Sequence, residues 1–153
     1  MAVDPGIYDK LLRYCSYSER CRADVAKKLS TLKVDKEEHV QYIAALESSG
    51  YLNEKRFVQS FVNGHYKNKK WGKQKIKTAL KQKRLPAELI DLFLQEIEQE
   101  GYEDQLLIQA EKKLANIRKG TPQEKRVKLT RFLVSKGYEM DKVFGVLKKL
   151  DIK

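Results

Sequence analysis

Two cysteines, two histidines and a dense set of lysines are the side chains in this 153-residue chain with chemistry to offer. Cys15 and Cys21 sit six apart, with no histidine at ligand spacing beside them. That spacing supports neither a disulfide framework nor a zinc site. They read as free, buried or half-buried thiols of a reducing compartment. His39 follows Glu37 and Glu38 early in an amphipathic segment, which places it on the surface. His65 shares a helical face with Phe57 and Phe61, the pattern of a core or boundary histidine rather than a general base. There is no glycine-rich phosphate loop and no Ser-His-Asp or Cys-His set, and Glu96, Glu98 and Glu100 read as a solvated helix end. The expectation is a protein without catalytic, cofactor-binding or metal-binding residues: not an enzyme.

The chemistry that remains is cationic. Lys and Arg number 32 against 21 Asp and Glu, a formal net charge of +11, and the signs are blocked rather than mixed. From Lys55 to Arg84 there are 11 basic residues and no acidic one; from Pro86 to Glu111 there are 8 acidic residues and no basic one; from Lys112 to Lys136 there are 9 basic residues against Glu124 alone. Solubility alone would intersperse the signs, whereas blocks create a field that attracts a polyanion. Lys70, Lys73, Lys77, Lys81 and Arg84 step by three and four, one positive helical stripe flanking the Ile76/Leu80 face. Trp71 and Tyr66 lie beside Lys67, Lys69 and Lys70, a pairing of aromatic and cation suited to stacking on bases or packing against a partner.

The elements that must carry these residues are helices throughout, because apolar positions recur at three and four rather than at two. Ile7, Leu11 and Tyr14 open the first, and Ser16 and Glu19 have capping-box spacing before the second, carried by Val25, Leu29 and Leu32. Asp35 and Glu38 start a third, carried by Val40, Ile43 and Leu46 and stopped at Gly50. The fourth holds Phe57, Phe61 and His65, and after the Lys70-Trp71-Gly72 turn the fifth holds Ile76 and Leu80. Pro86 stands at the first-turn position of a sixth that carries Ile90, Leu94 and Ile97 to Gly101. Leu107, Ala110 and Leu114 mark the seventh; Thr121-Pro122-Gln123-Glu124 caps an eighth with Leu129 and Leu133; Val143, Leu147 and Leu150 carry the last.

The pattern repeats. Leu29, Leu80 and Leu133 correspond at offsets of 51 and 53, as do Ile43, Leu94 and Leu147, and Leu46, Ile97 and Leu150; Gly50-Tyr51 matches Gly101-Tyr102. A period near fifty in an all-helical chain means stacked three-helix units, each too small to bury a full core alone. The reading is an all-α chain of nine helices in three tandem three-helix repeats, over residues 6–50, 51–102 and 103–151.

Gly50-Tyr51-Leu52-Asn53-Glu54-Lys55-Arg56-Phe57 resembles the entry into the second repeat of RecX proteins. Lys70-Trp71-Gly72-Lys73-Gln74-Lys75-Ile76-Lys77, with Leu80 and Lys83-Arg84-Leu85-Pro86, resembles the remainder of that repeat's basic half. Ser18 to Val25 is similar to that family's first repeat, and Arg131-Phe132-Leu133 with Lys136-Gly137-Tyr138 to its closing one. Arg84 replaces the family's usual glycine before the sixth helix, and the third unit lacks a Trp-Gly turn. The resemblance implies an elongated, curved molecule that binds RecA or the RecA–single-stranded DNA filament, limits or destabilises it, and so restrains recombination, DNA repair and the SOS response.

On that reading Arg56, Lys67, Lys69, Lys70, Lys73, Lys77 and Lys81 contact the partner, with Trp71 as an apolar anchor. The partners are RecA, its filament and single- or double-stranded DNA directly, with no membrane, and the chain itself is a monomer. The opening Met1-Ala2-Val3-Asp4-Pro5 lacks a secretion leader's pattern, so the expected location is cytoplasmic. The alternative is a helix-turn-helix-like DNA-binding module independent of RecA. Sequence readers place Arg, Asn or Gln against base edges, and this stripe is almost all lysine, the phosphate type of contact, which favours the filament regulator. Affinity for DNA, titrated against salt, is expected to fall with a log–log slope of about −0.9 per phosphate neutralised; a flat response removes DNA as a direct partner.

Overall fold

The computed structural model describes residues 3–153; Met1 and Ala2, the first residues of the stretch without a leader's pattern, lie outside the described residues. Among those described are nine α-helices and no strand: α1 (Pro5–Tyr17), α2 (Arg22–Thr31), α3 (His39–Ser48), α4 (Glu54–Lys67), α5 (Lys73–Gln82), α6 (Ala87–Glu98), α7 (Tyr102–Asn116), α8 (Pro122–Ser135) and α9 (Met140–Lys149). A single 3₁₀ turn, Lys36–Glu38, leads into α3. No helix of the described residues is long and apolar enough to cross a membrane.

Helix starts are set by local side-chain chemistry. Asp4 accepts from the amides of Gly6 and Ile7, Asn53 from Arg56, and Thr121 from Glu124, whose own side chain accepts from the Thr121 amide. Two starts differ from expectation. Ser16 lies inside α1, and the cap of α2 is Cys21, whose amide donates to the Asp24 carboxylate at 3.1 Å. Pro86 is the residue before α6 rather than its first.

The third helix is turned relative to its apolar pattern. Val40 is 72% exposed, while His39, Tyr42 and Leu46 are buried. His39 is therefore a core residue and not a surface one: its Nε2 lies 3.0 Å from the Val34 carbonyl, a partner that makes burial of a polar ring tolerable. Cys15 and Cys21 are free and buried; burial pushes the Cys21 thiol up to about 11, which keeps it protonated and inert.

The repeat is visible in backbone conformation as well as in leucines. Lys33, Arg84 and Gly137 each come after the second helix of a unit with positive φ (62°, 63° and 99°). In each case the next amide reaches back to the aligned leucine carbonyl: Val34 to Leu29, Leu85 to Leu80 and Tyr138 to Leu133, at 3.0–3.2 Å. This is the Schellman helix end, which favours glycine because a side chain in left-handed geometry is strained. Lysine and arginine tolerate the strain in the first two units. The third admits only glycine, for a Cβ on Gly137 would sit 2.4 Å from Lys75 Cβ.

Packing divides the chain unevenly. Leu11, Val25, Leu29, Tyr42 and Leu46 belong to one core under α1–α3. A second core runs without a break from Phe57 and Ile76 through Ile97 and Leu106 to Leu133 and Val143. The second and third units thus share one interior, about 1.5–3 kcal/mol for each large aliphatic side chain fully buried. The first unit meets it through Cys21, which packs in the larger core, and through ion pairs: Lys83 with Asp24 and Arg56 with Glu19, both at 2.6 Å. Against the burial that would raise it, Lys83 and the Cys21 amide hold the Asp24 carboxyl below its usual value.

Between the second and third units the contact is backbone on backbone. The Gly72 amide donates to the Lys136 carbonyl at 2.7 Å, and the Gln74 amide to the Gly137 carbonyl at 2.9 Å. Gly72, at the N-terminus of α5, has no side chain to cap that helix, so the carbonyls at the end of α8 do it. A Cβ on Gly72 would lie 2.4 Å from the Gly137 carbonyl carbon. Gly137→Ala is expected to destabilise by about 3 kcal/mol or more, since left-handed strain and a backbone clash combine. Gly145→Ala, inside α9 with no neighbour within 4 Å, is expected to stabilise by about 0.5–1 kcal/mol. Urea denaturation of the two variants tests the contrast.

Candidate nucleic-acid interface

The Gly72–Gly137 junction sits beside the end of α4 and fixes the Lys70-Trp71-Gly72 turn. Lys70 takes a left-handed φ of 61°, and the Trp71 amide donates back to the His65 carbonyl at 3.0 Å, closing α4. Tyr138 holds the turn from the third unit: its hydroxyl donates to the Lys70 carbonyl at 2.8 Å and accepts from Gln105 Nε2 at 3.0 Å. Tyr66, Tyr102 and Tyr138 form a column behind it, with ring centroids 6.0 and 5.6 Å apart. The Tyr102 hydroxyl accepts from the Lys73 amide at 2.9 Å and donates to Glu139. Burial, then the Glu139 hydrogen bond, raises its pKa far above the ordinary phenol value.

On the outer side of the turn lies an aromatic group. Phe61 and His65 stack at 3.8 Å, and Trp71 tilts against His65 at 4.5 Å. His65 Nδ1 is 2.8 Å from the Phe61 carbonyl, and burial, with help from Lys69, lowers its pKa, so the ring is neutral at neutral pH. Three ammonium groups gather here. Lys75 Nζ lies 4.5 Å and Lys69 Nζ 5.7 Å from the Trp71 ring centre, within cation–π range, and Lys136 Nζ donates to the Lys69 carbonyl at 2.7 Å. Burial and the Lys75 charge lower the Lys136 pKa, the sign of cations crowded together without an acid between them. No ion pair involves Lys69, Lys75 or Lys136 among the described residues.

The eight residues expected to contact a partner do not form one ridge. Lys73 is turned inward, only 17% exposed, and pairs with Glu98 at 2.8 Å and Glu139 at 3.3 Å. Lys77 pairs with Asp91 of α6 at 3.4 Å, and Arg56 with Glu19. For Lys73 and Lys77 the cause is amphipathic geometry: this part of the stripe faces α6, whose Glu98 and Asp91 neutralise it. Lys67 and Lys70 line a shallow groove that also holds Glu100 and Asp104. Lys81 is exposed at the far end of α5. Of the eight, the structure brings together Lys69 and Trp71. It adds Lys75, four residues after Trp71 and outside the three-four stripe, and Lys136, 67 residues beyond Lys69 and invisible to any local pattern.

Two family models match the sequence in order: the RecX second three-helix domain over residues 53–94, and the RecX third three-helix domain over residues 100–147. Together they cover more than half of the sequence. The chain belongs to the RecX family. The regulatory protein RecX of Clostridium botulinum strain Alaska E43 is 33% identical over 127 residues, which are 82% of this chain and 59% of that protein. The chain thus spans about three fifths of the length of that relative. RecX of Chlorobaculum tepidum is 29% identical over 140 residues, 92% of this chain and 85% of that one. Among solved structures, a regulatory protein RecX superposes with a TM-score of 0.84 at 22% identity, covering 95% of this chain and 71% of that one. RecX from Lactobacillus salivarius gives 0.81 at 23% identity, covering 97% and 96%. These two establish the RecX fold, an all-helical arrangement of three-helix repeats.

In this RecX fold the neutralised lysines hold the units together. Hydrogen bonds from Lys142 and Lys73 lower the Glu98 carboxyl from 4.5 to about 2. A carboxylate depressed on folding contributes stability above its unfolded pKa and loses it as pH falls through the folded one. Glu98→Gln is therefore expected to lower stability at pH 7 and to flatten its decline between pH 4.5 and about 2. Denaturation midpoints across that range check it, at low salt because Glu98 is 43% exposed and screened.

Proposed function

We propose that this RecX-family chain regulates recombination and DNA repair in the cytoplasm by binding RecA or its filament on single-stranded DNA and limiting it. The contact surface is the patch of Lys69, Lys75 and Lys136 around Trp71. Lys67, Lys70 and Lys81 extend it as outlying phosphate contacts; Arg56, Lys73 and Lys77 serve by holding α1–α2 and α6 in place. The observation that carries this reading is the clustering of three lysines outside any ion pair among the described residues, two of them against a half-exposed aromatic ring, at a turn held by two units. Like charges placed together repel one another, whereas a polymer carrying phosphates and bases meets both features at once. Membership of the RecX family supports RecA as the partner.

RecA's DNA-dependent ATPase, with the chain added after filaments have formed, tests this. Inhibition below one chain per RecA is expected. A Lys69→Glu/Lys75→Glu/Lys136→Glu variant is expected to lose it by about 100-fold, the equivalent of two or three charge contacts at about 1 kcal/mol each. Unchanged inhibition by that variant, with native helicity, moves the contact surface elsewhere. No inhibition by the wild-type chain, with tight binding to one duplex sequence, gives the helix-turn-helix module instead.

A further inference from the structure

A second surface, away from the Trp71 patch, has different chemistry. Between α8 and α9 runs an open groove of about 520 Å³. Val127, 40% exposed, Phe144, 51% exposed, and Leu147 form its floor. Arg126, Arg131 and Lys148 form its rim, and no acidic side chain lines it. None of the three rim cations is in an ion pair among the described residues. Folding does not require this arrangement. The core under α8 and α9 is already filled by Leu129, Leu133, Val143 and Val146, all under 5% exposed, and an exposed phenylalanine between uncompensated cations adds nothing to it.

We infer that this groove docks an acidic amphipathic helix of a partner protein, with its apolar stripe on Val127, Phe144 and Leu147 and its carboxylates on Arg126, Arg131 and Lys148. The length fits: the lining on α8 runs from Gln123 to Arg131, about 12 Å, so the groove holds about two turns of a helix. Such a helix presents apolar residues at i, i+3, i+4 and i+7 to a groove, the usual form of helix-in-groove recognition. Arginine fits because its planar fork takes a carboxylate bidentately.

A nucleic acid strand fits less well. Phe144 is the one ring of the floor, and Val127 and Leu147 beside it are aliphatic, so successive bases have nothing to stack on, and a phosphate gains nothing from an apolar floor. A second copy of this chain fits less well again. Its acidic helix, α6, already buries Ile90, Phe93, Leu94 and Ile97 and leaves Leu92 alone exposed, so it has no stripe to offer. The proposal goes beyond the RecA reading and stands without it, since neither Lys69 nor Trp71 lines this groove.

The test uses the whole chain with isotope-labelled methyl groups and, as probe, a synthetic peptide with the 12-residue sequence of α6, Ala87–Glu98. Free in solution that peptide is an acidic amphipathic segment with its apolar face uncovered. Saturable shifts at the Val127 and Leu147 methyls are expected. They should weaken about tenfold with Phe144→Glu, and about tenfold with a peptide whose carboxylates are replaced by amides, each about 1.4 kcal/mol. Phe144 is a surface residue, so its replacement leaves the fold intact, and unchanged methyl spectra elsewhere verify that. Absence of shifts, or shifts unaffected by Phe144→Glu or by the amide peptide, overturns the proposal. So do the same methyl shifts produced by oligo-dT, which would make the groove a DNA site, or produced by raising the chain's own concentration, which would make it a self-association site. Loss of RecA inhibition in the Lys69/Lys75/Lys136 variant with peptide binding intact separates the two surfaces.

Discussion

Much of this molecule depends on one place where two backbones touch. Gly72 and Gly137 approach so closely that neither tolerates a methyl group, and through that gap the end of α8 supplies the carbonyls that the start of α5 lacks. The arrangement satisfies both helix ends together, since amides at one terminus and carbonyls at the other are otherwise orphaned, and it sets opposite ends of two helix dipoles against each other. The shared core of the second and third units and the fixed turn that carries Trp71 both depend on it.

Around this junction the charges separate into two classes. Lys73, Lys77 and Lys142 face carboxylates of α6 and of the α8–α9 turn, and with the tyrosine column they brace the units. Among the described residues Lys69, Lys75 and Lys136 have no such partners. An ammonium group in a structural ion pair has little left for a ligand, because a new partner must first displace the old one. An unpaired group in a cluster gains from any anion that arrives. Sign and count are the same in both classes; the neighbours differ.

The first unit is joined differently. It has its own core, which Leu52 of the second unit enters, and two short ion pairs and Cys21 also link it to the rest. Such a joint responds to salt, which the glycine junction does not. The repeated Gly-Tyr landmark shows the same divergence: Tyr102 is fully buried at the centre of the tyrosine column, while Tyr51 at the matching position is 42% exposed. One repeat of sequence has become an interface and the other an open surface.

Much was determined locally. Helix type, the nine-element order and the aligned leucines are set by apolar periodicity, and the Thr121–Glu124 cap by side chains three residues apart. The family resemblance likewise rests on contiguous residues. Periodicity misleads where the competition is local but rotational: α3, entered through a 3₁₀ turn, turns His39 inward and Val40 outward. The charged stripe can be counted in the sequence but not interpreted there. Whether a lysine is a brace or a contact depends on which carboxylate the fold brings within about 4 Å, where attraction is strong enough to hold it. Lys136 meets Lys69 across 67 residues, and Lys73 meets Glu139 in another unit. Periodicity acts along the chain and fixed the helices; Coulomb attraction and steric exclusion act through space, so only the tertiary structure decided which cations remain free.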